Sequence, residues 1–277
     1  MSLMWKLLAT MLLLSSLVNA STTGKKIENY LDNEFGDNPR ILNLDVKVVS
    51  EKPLKELKGW SSYVVDVHAV LKDKPKETIK QKMIWFSNGT VISKELIDMK
   101  SGESFTDMVK PDFQKKYYKK ENLIYGHANA KHRVAIFSDP MCPFCKEFAP
   151  SALTYMKKYP DTFAVYYYHY PILRIHPASA IVIRAAVVAE RQGVKDVSIN
   201  MYKMKINPHE KNVEKILAEF NKVTGAHVTQ KEIMTASVNK QIADDNEVAK
   251  SVFVGGTPTM YFDEKIDKTR KLFKSYK

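Results

Sequence analysis

One stretch decides how the second half of this chain folds: Phe137-Ser138-Asp139-Pro140-Met141-Cys142-Pro143-Phe144-Cys145-Lys146. It contains the only 2 cysteines of the 277 residues. Residues 132–137 form an apolar run that ends in the turn-forming Ser-Asp-Pro, a pattern typical of a buried strand. Apolar residues then recur at helical spacing from 146 to 159. The stretch therefore predicts a strand, a turn and a helix, with both cysteines where the helix begins.

The two cysteines have different neighbours in this predicted arrangement. Pro143 falls at the first helical position, where its missing N–H costs nothing. Cys142 then lies beside the free N–H groups and the positive dipole end of the helix. Such a position favours the thiolate, which is the reactive form of cysteine. The pattern predicts thiol–disulfide exchange.

Two other roles of a Cys-x-x-Cys pair are an inert disulfide and half of a zinc site. A disulfide across so short a loop constrains an unfolded chain little. A zinc site needs further ligands, yet the chain has no second cysteine pair, and His169 and His176 lack ligand-pair spacing. We therefore predict neither a metal nor a cofactor.

Residues 1–20 have the pattern of a secretory signal peptide. Lys6 supplies the positive charge, residues 7–18 the apolar segment, and Val18-Asn19-Ala20 the cleavage site. An uncleaved membrane anchor is the alternative. Export places the mature protein where disulfides form. The formal charge of +12 arises from lysines scattered among glutamates, so we expect no nucleic-acid partner.

The length of the mature chain predicts two domains. Residues 21–109 predict a small α+β domain with a helix and three strands, and Asn88-Gly89 predicts a two-residue hairpin turn. Residues 110–125 predict a charged linker helix. Residues 126–277 alternate between strand and helix, with a helical insert at about 172–250. Within the insert, Asn207 is a candidate helix cap, and Thr229 with Glu232 is a candidate capping box.

The last strand of the second domain is preceded by Gly255-Gly256-Thr257-Pro258. Glycines and proline predict a tight turn entering a strand. A proline at a strand start is a place where a cis peptide bond can be functional, although an ordinary trans turn has the same sequence pattern. Residues 264–267 then predict a reversal into residues 270–273.

Together these motifs resemble the thioredoxin fold, and more closely bacterial periplasmic disulfide interchange proteins of the DsbC/DsbG kind. The resemblance is carried by the Cys142-Pro143-Phe144-Cys145 motif with its preceding strand, and by Gly256-Thr257-Pro258. It implies an α/β thioredoxin-like domain with a helical insert, preceded by a small α+β (cystatin-like) dimerisation domain. It also implies the periplasm of a Gram-negative bacterium.

The resemblance implies specific roles for residues. Cys142 is the expected exposed nucleophile, and Cys145 is the resolving partner in a redox-active disulfide. Thr257 and a cis Pro258 would hold substrate in an extended form, while Phe144 and Met141 would add apolar contacts. Met260 and Tyr166 are further candidates for this surface, and each of these apolar residues can equally belong to the core.

The implied activity is isomerase or reductase of disulfides in unfolded or misoxidised exported proteins. A homodimer and a membrane redox partner, DsbD-like or DsbB-like, are also implied. A DsbA-like oxidase and a chaperone-like binder of unfolded chains stay open as alternatives. One departure bears on the mechanism: Ile136 occupies the strand position where thioredoxin and DsbA-type oxidases carry a buried acid that assists proton transfer.

Overall fold

The computed structural model describes residues 20–277. All but the last residue of the expected signal peptide therefore lies outside the described residues. Within 20–277, no helix combines the length and the apolar character needed to span a bilayer. The chain divides into two compact units, one ending at Val109 and the other beginning at Lys110.

The first unit is an antiparallel sheet with one helix packed on it. In chain order its elements are α1 (Thr22–Gly36), β1 (Ile41–Pro53), β2 (Ser61–Leu71), β3 (Lys74–Ser87), β4 (Ile92–Ser93) and α2 (Phe105–Val109). The strands lie in the order β1-β2-β3-β4. Helix α1 begins where the Ser21 side chain accepts a hydrogen bond from the Gly24 N–H. Its buried Ile27 and Leu31 belong to the same core cluster as Val46 and Val65 of the sheet.

The hairpin between β3 and β4 forms, but its turn differs from the expected one. Ser87 pairs with Ile92, and the Asn88 N–H donates to the Val91 carbonyl. Gly89 and Thr90 therefore occupy the centre of the turn, rather than Asn88 and Gly89. The Asn88 side chain stabilises this arrangement because its Oδ1 accepts from the N–H groups of both Thr90 and Val91.

The second unit is built on a five-stranded sheet in the order β5-β7-β6-β8-β9. Its strands are β5 (Leu123–Tyr125), β6 (His132–Ser138), β7 (Phe163–His169), β8 (Thr259–Phe262) and β9 (Lys265–Ile266). Its helices are α3 (Pro143–Met156), α4 (Ser179–Arg191), α5 (Val197–Asn200), α6 (Val213–Thr224), α7 (Gln230–Ile233) and α8 (Ala236–Ser251). Strands β6 and β7 are parallel, and α3 connects them.

Both faces of this sheet are buried. Val134 and Ile136 of β6 pack in one core cluster together with α3 and α4. Ala135 and Phe137 point to the other face and pack in a second cluster with α8. A strand covered on both faces needs apolar residues throughout, which explains the continuous apolar run of β6. Helices α4 to α8 lie between β7 and β8 in the chain, in the region expected for the helical insert.

Two further predictions are corrected here. The linker helix expected over 110–125 is absent: this segment contains 3-10 turns at Lys115–Tyr117 and Lys120–Asn122, followed by β5. Buried Phe113 packs against Tyr118 and Tyr261, and these tertiary contacts override the local helical pattern. Residues 264–267, expected to reverse the chain, instead contain β9 (Lys265–Ile266), which pairs with β8, and residues 270–273 lead into a 3-10 helix, Leu272–Ser275.

Candidate active site

The cysteine pair lies at the start of α3, directly after the turn that follows β6. Cys142 is the N-cap residue of α3 and Pro143 follows in the first turn, which confirms the predicted position of the two residues. Both cysteines are free thiols. The Cys142 sulfur is thus held beside the unpaired N–H groups of the first helical turn, which stabilise negative charge there.

The two sulfurs differ in their surroundings. Cys145 is fully buried, and this burial raises the pKa of its thiol to about 11. The Asp139 N–H and the hydroxyls of Ser138 and Thr257 interact with the Cys145 sulfur and oppose that rise. Cys142 is only 4% exposed, so the expectation of an openly exposed nucleophile is corrected. The apolar core around α3 encloses this side chain more than the sequence indicated.

The loop before β8 faces Cys142. The Thr257–Pro258 peptide bond is cis. The Cys142 thiol donates to the Thr257 carbonyl oxygen, with an S···O distance of 3.6 Å. The Thr257 hydroxyl is buried and has no hydrogen-bonded oxygen or nitrogen among the described residues. The structure thus brings together Cys142, Cys145, Thr257 and Pro258, as the resemblance implied.

The two apolar residues expected to contact substrate differ in exposure. Phe144 is 71% exposed and borders a groove of about 300 Å³ that also includes Phe148, Pro258 and Phe273. Met141 is 1% exposed and packs in the core beneath the cysteines. This burial argues against a contact between Met141 and substrate, and that contact stays a prediction. Phe144 is exposed enough for a substrate to reach it.

A buried carboxylate holds the turn before the cysteines, and the sequence analysis missed it. Asp139 is fully buried. Its Oδ1 accepts from the Met141 N–H and the Ser179 hydroxyl at 2.8 and 2.5 Å. Its Oδ2 lies 2.8 Å from both the Ile172 N–H nitrogen and His176 Nδ1. Asp139 had looked like a simple turn former, because no spacing in the sequence links it to α4.

A separate cavity of about 640 Å³ lies on the β7 side of α4. Tyr167 and His169 line it from β7, and Glu190 lines it from α4. Burial lowers the pKa of His169 to about 4 and raises the pKa of Glu190 to about 7. Exposed Lys120 and Lys195 lie at its rim. Among residues 20–277, no cluster of three or more His, Cys, Asp or Glu side chains is arranged to hold a metal ion.

A parallel β6–α3–β7 unit, a Cys-x-x-Cys pair at the start of α3 and a cis-proline loop facing it define a thioredoxin-fold dithiol protein. The family model for thioredoxin matches residues 118–277. The chain belongs to this thioredoxin family. The match begins at residue 118, so the family model does not include the first unit, which ends at Val109.

Several solved structures are similar to part of this chain. A thioredoxin-like oxidoreductase from Silicibacter pomeroyi is 21% identical, with a TM-score of 0.44 over 54% of this chain and 84% of that one. Oxidised BdbD from Bacillus subtilis is 16% identical, with a TM-score of 0.48 over 60% and 92%. The catalytic domain of Proteus mirabilis ScsC is 22% identical, with a TM-score of 0.43 over 55% and 82%. No curated protein matches the chain.

Proposed function

We propose that this protein is a thiol:disulfide oxidoreductase that uses Cys142 and Cys145 as its redox pair. The observation that carries the proposal is the placement of Cys142 between the N-terminus of α3 and the Thr257 carbonyl oxygen, 3.6 Å away. The helix end stabilises the thiolate, and the loop supplies backbone groups that an extended substrate can pair with.

The exchange reaction needs no cofactor. The Cys142 thiolate attacks one sulfur of a substrate disulfide, forms a mixed disulfide and displaces the other substrate sulfur as a thiolate. Cys145 then loses its proton and attacks Cys142. The Cys142–Cys145 bond forms, the bond to the substrate breaks, and the substrate leaves reduced. In isomerisation, a second substrate thiol attacks instead and releases Cys142 as a thiolate.

Two groups next to the sulfurs are suited to hold the substrate. The exposed Phe144 ring offers an apolar contact at one side of Cys142. The groove beside it leads to Pro258 and has the basic residues Arg270 and Lys274 at its border. Unfolded or misoxidised proteins expose apolar side chains next to cysteines, so they are the substrate class we propose.

The direction we propose is isomerisation or reduction. Thr257 before Pro258, the absence of a histidine between the cysteines and the additional N-terminal unit support this direction through the resemblance to the DsbC/DsbG kind. We further propose a periplasmic location, a homodimer formed by residues 21–109, and a DsbD-like membrane donor. A DsbA-like oxidase, with a DsbB-like partner, is the competing assignment.

The redox state in cells separates these two directions. An isomerase must be kept with a free Cys142 thiol, whereas an oxidase must be kept as the Cys142–Cys145 disulfide. Cells quenched in acid and alkylated with a mass-tagging thiol reagent report the ratio of the two forms. We expect the reduced form to dominate, and a mainly oxidised protein would favour the oxidase.

Activity of cysteine variants tests the proposal itself. The wild-type chain should reduce insulin in the presence of dithiothreitol, and Cys142→Ser should abolish this activity. Refolding of a disulfide-free protein gives the control for a chaperone-like function. If a variant lacking both thiols, Cys142→Ser with Cys145→Ser, retains full activity in refolding a disulfide-containing protein, the binder alternative replaces the oxidoreductase.

A further inference from the structure

The proton of Cys145 has no obvious acceptor. Cys145 is fully buried, and its thiol pKa of about 11 means that it carries the proton at neutral pH. Ile136 of β6 cannot accept a proton. The Asp139 carboxylate is a poor alternative because each of its oxygens already has two hydrogen-bonding neighbours. These contacts fill the four acceptor positions that a carboxylate offers.

A chain of three buried hydroxyls begins at the Cys145 sulfur. The Ser138 hydroxyl interacts with this sulfur. Ser138 Oγ lies 2.5 Å from the Tyr202 hydroxyl oxygen, and that oxygen lies 2.5 Å from the Tyr167 hydroxyl oxygen. Tyr167 lines the 640 Å³ cavity, whose rim carries exposed lysines. The chain therefore runs from the buried sulfur to Tyr167, a residue that is 2% exposed and borders the cavity.

We propose that Ser138, Tyr202 and Tyr167 relay the proton of Cys145 to and from water in this cavity. The proposal rests on the proposed exchange function, since it describes the step in which Cys145 resolves the mixed disulfide. In this proposal, three hydroxyl groups from β6, β7 and the helical insert carry out the proton transfer that a buried acid assists in thioredoxin and DsbA-type oxidases.

The step balances without an additional reagent. The Cys145 S–H gives its proton to Ser138 Oγ, Ser138 gives its own to Tyr202, Tyr202 gives its own to Tyr167, and Tyr167 gives its own to water. The Cys145 electron pair forms the bond to the Cys142 sulfur. The electron pair of the broken bond leaves on the substrate thiolate, which takes up a proton from solvent.

The geometry suits transfer in both directions. Each hydroxyl can donate or accept, so the whole chain can reverse when the Cys142–Cys145 disulfide is reduced. Burial raises the pKa of both tyrosines well above the usual value. A free tyrosinate is therefore disfavoured, and the protons must move in concert. The O···O distances of 2.5 Å place neighbouring hydroxyls of the chain within hydrogen-bonding reach of each other.

A two-phase reaction isolates this step. When the reduced protein meets a chromogenic aromatic disulfide such as dithiobis-nitrobenzoate, attack by Cys142 releases one coloured thiolate. Resolution by Cys145 then releases the second. Stopped-flow absorbance therefore measures the first step, which tests the proposed function, and the second step, which tests the relay, in one trace.

We expect Tyr202→Phe to slow the second phase at least about tenfold at neutral pH while the first phase stays unchanged. The difference should shrink as the pH approaches the pKa of Cys145, because hydroxide then removes the proton directly. The wild-type second phase should show a solvent deuterium isotope effect that the variant alters. A purely structural role of Tyr202 predicts none of these pH and isotope changes.

Tyr168→Phe is the matched control. Tyr168 is also buried on β7, but it faces the opposite side of the sheet and its hydroxyl donates to the Tyr117 carbonyl. An unchanged second phase in Tyr202→Phe, or equal slowing in Tyr168→Phe, would overturn the relay. If Tyr202→Phe does not fold, Tyr167→Phe replaces it, and a wild-type second phase without an isotope effect would overturn the relay as well. A missing first phase in the wild type would instead refute the exchange function.

Discussion

The Cys142 sulfur lies 3.6 Å from the carbonyl oxygen of Thr257, a residue 115 positions later in the chain. Two neighbouring strands of the sheet position the two residues. Cys142 lies at the start of α3, just after β6, and the cis Thr257–Pro258 bond lies directly before β8. Residues 137 and 259 are paired between these neighbouring strands, so the loop is held next to the sulfur by the sheet register.

Replacing Asp139 should cost stability. In Asp139→Asn one acceptor oxygen is replaced by an NH₂ group that faces existing donors, so buried donors lose their partners. We expect the free energy of unfolding to fall by about 3 to 5 kcal/mol, as for other broken buried networks. Urea denaturation followed by circular dichroism measures the change. Asp161→Asn is the control because its carboxylate is 92% exposed. Equal stability of the two variants would show that the buried contacts contribute little.

Asp245 should make stability fall as the pH rises. It is buried and accepts hydrogen bonds from Asn122 and the His169 N–H, yet desolvation raises its pKa to about 7. The folded state therefore holds a proton that the unfolded state releases above about pH 4. This contribution to stability is complete below about pH 4 and is lost as the pH rises through 7.

Asp245→Asn should remove that dependence. Between about pH 4 and pH 8 the free energy of unfolding of the wild type should fall, whereas that of the variant should not. The stability of the variant relative to wild type should therefore rise over this range by roughly 2 to 4 kcal/mol. The neighbouring Asp244 is the matched control, since its ion pair with Lys240 lowers its pKa. Asp244→Asn should show a smaller effect of opposite sign. Denaturation curves at several pH values measure both, and parallel curves for Asp245→Asn and wild type would contradict the account.

Phe144→His should make the disulfide more oxidising. Position 144 is exposed, and an imidazolium there would stabilise the thiolate of the reduced pair. Equilibration with glutathione should show a higher reduction potential than for wild type and for the neutral control Phe144→Leu. The shift should be larger at pH 6 than at pH 8, because the imidazole loses its charge over this range. A more reducing Phe144→His variant would argue against electrostatic control at this position.

Residues 21–109 should dimerise the protein. This separate sheet contains no cysteine, and it occupies the position of the dimerisation domain in the DsbC/DsbG kind. Light scattering should give a dimer for the chain starting at Ser21 and a monomer for a chain starting at Lys110. A monomeric longer chain at micromolar concentration would remove the homodimer from the proposal.

The sequence was sufficient for features that depend on local chemistry. Pro143 can occupy a first helical turn, the pair Thr229 and Glu232 forms the predicted capping box, and the apolar run of β6 requires burial on both faces. Asn207 was a wrong cap, because α6 begins only after Asn212, whose side chain accepts from the Lys215 N–H. Asparagine is a favoured N-cap residue at either position, so which of the two caps the helix depends on tertiary packing.

Features that depend on distant contacts could not be predicted. The pattern of residues 110–125 suited a helix, yet the Phe113 N–H donates to the Glu264 carbonyl and its ring is buried by residues far away in the chain. The same holds for the hydroxyl chain. Ser138 and Tyr202 are 64 positions apart, and a tyrosine within a helical insert carries no sign that its hydroxyl points toward a cysteine.

Trapping with glutathione tests the central claim most directly. In Cys145→Ser, Cys142 cannot be resolved, so oxidised glutathione should add one molecule per chain, located at Cys142 by mass spectrometry. In Cys142→Ser, the buried Cys145 should react far more slowly, by at least about a hundredfold, because it is inaccessible and protonated. Comparable rates of modification at Cys142 and Cys145 would contradict the assigned roles of attacking and resolving sulfur.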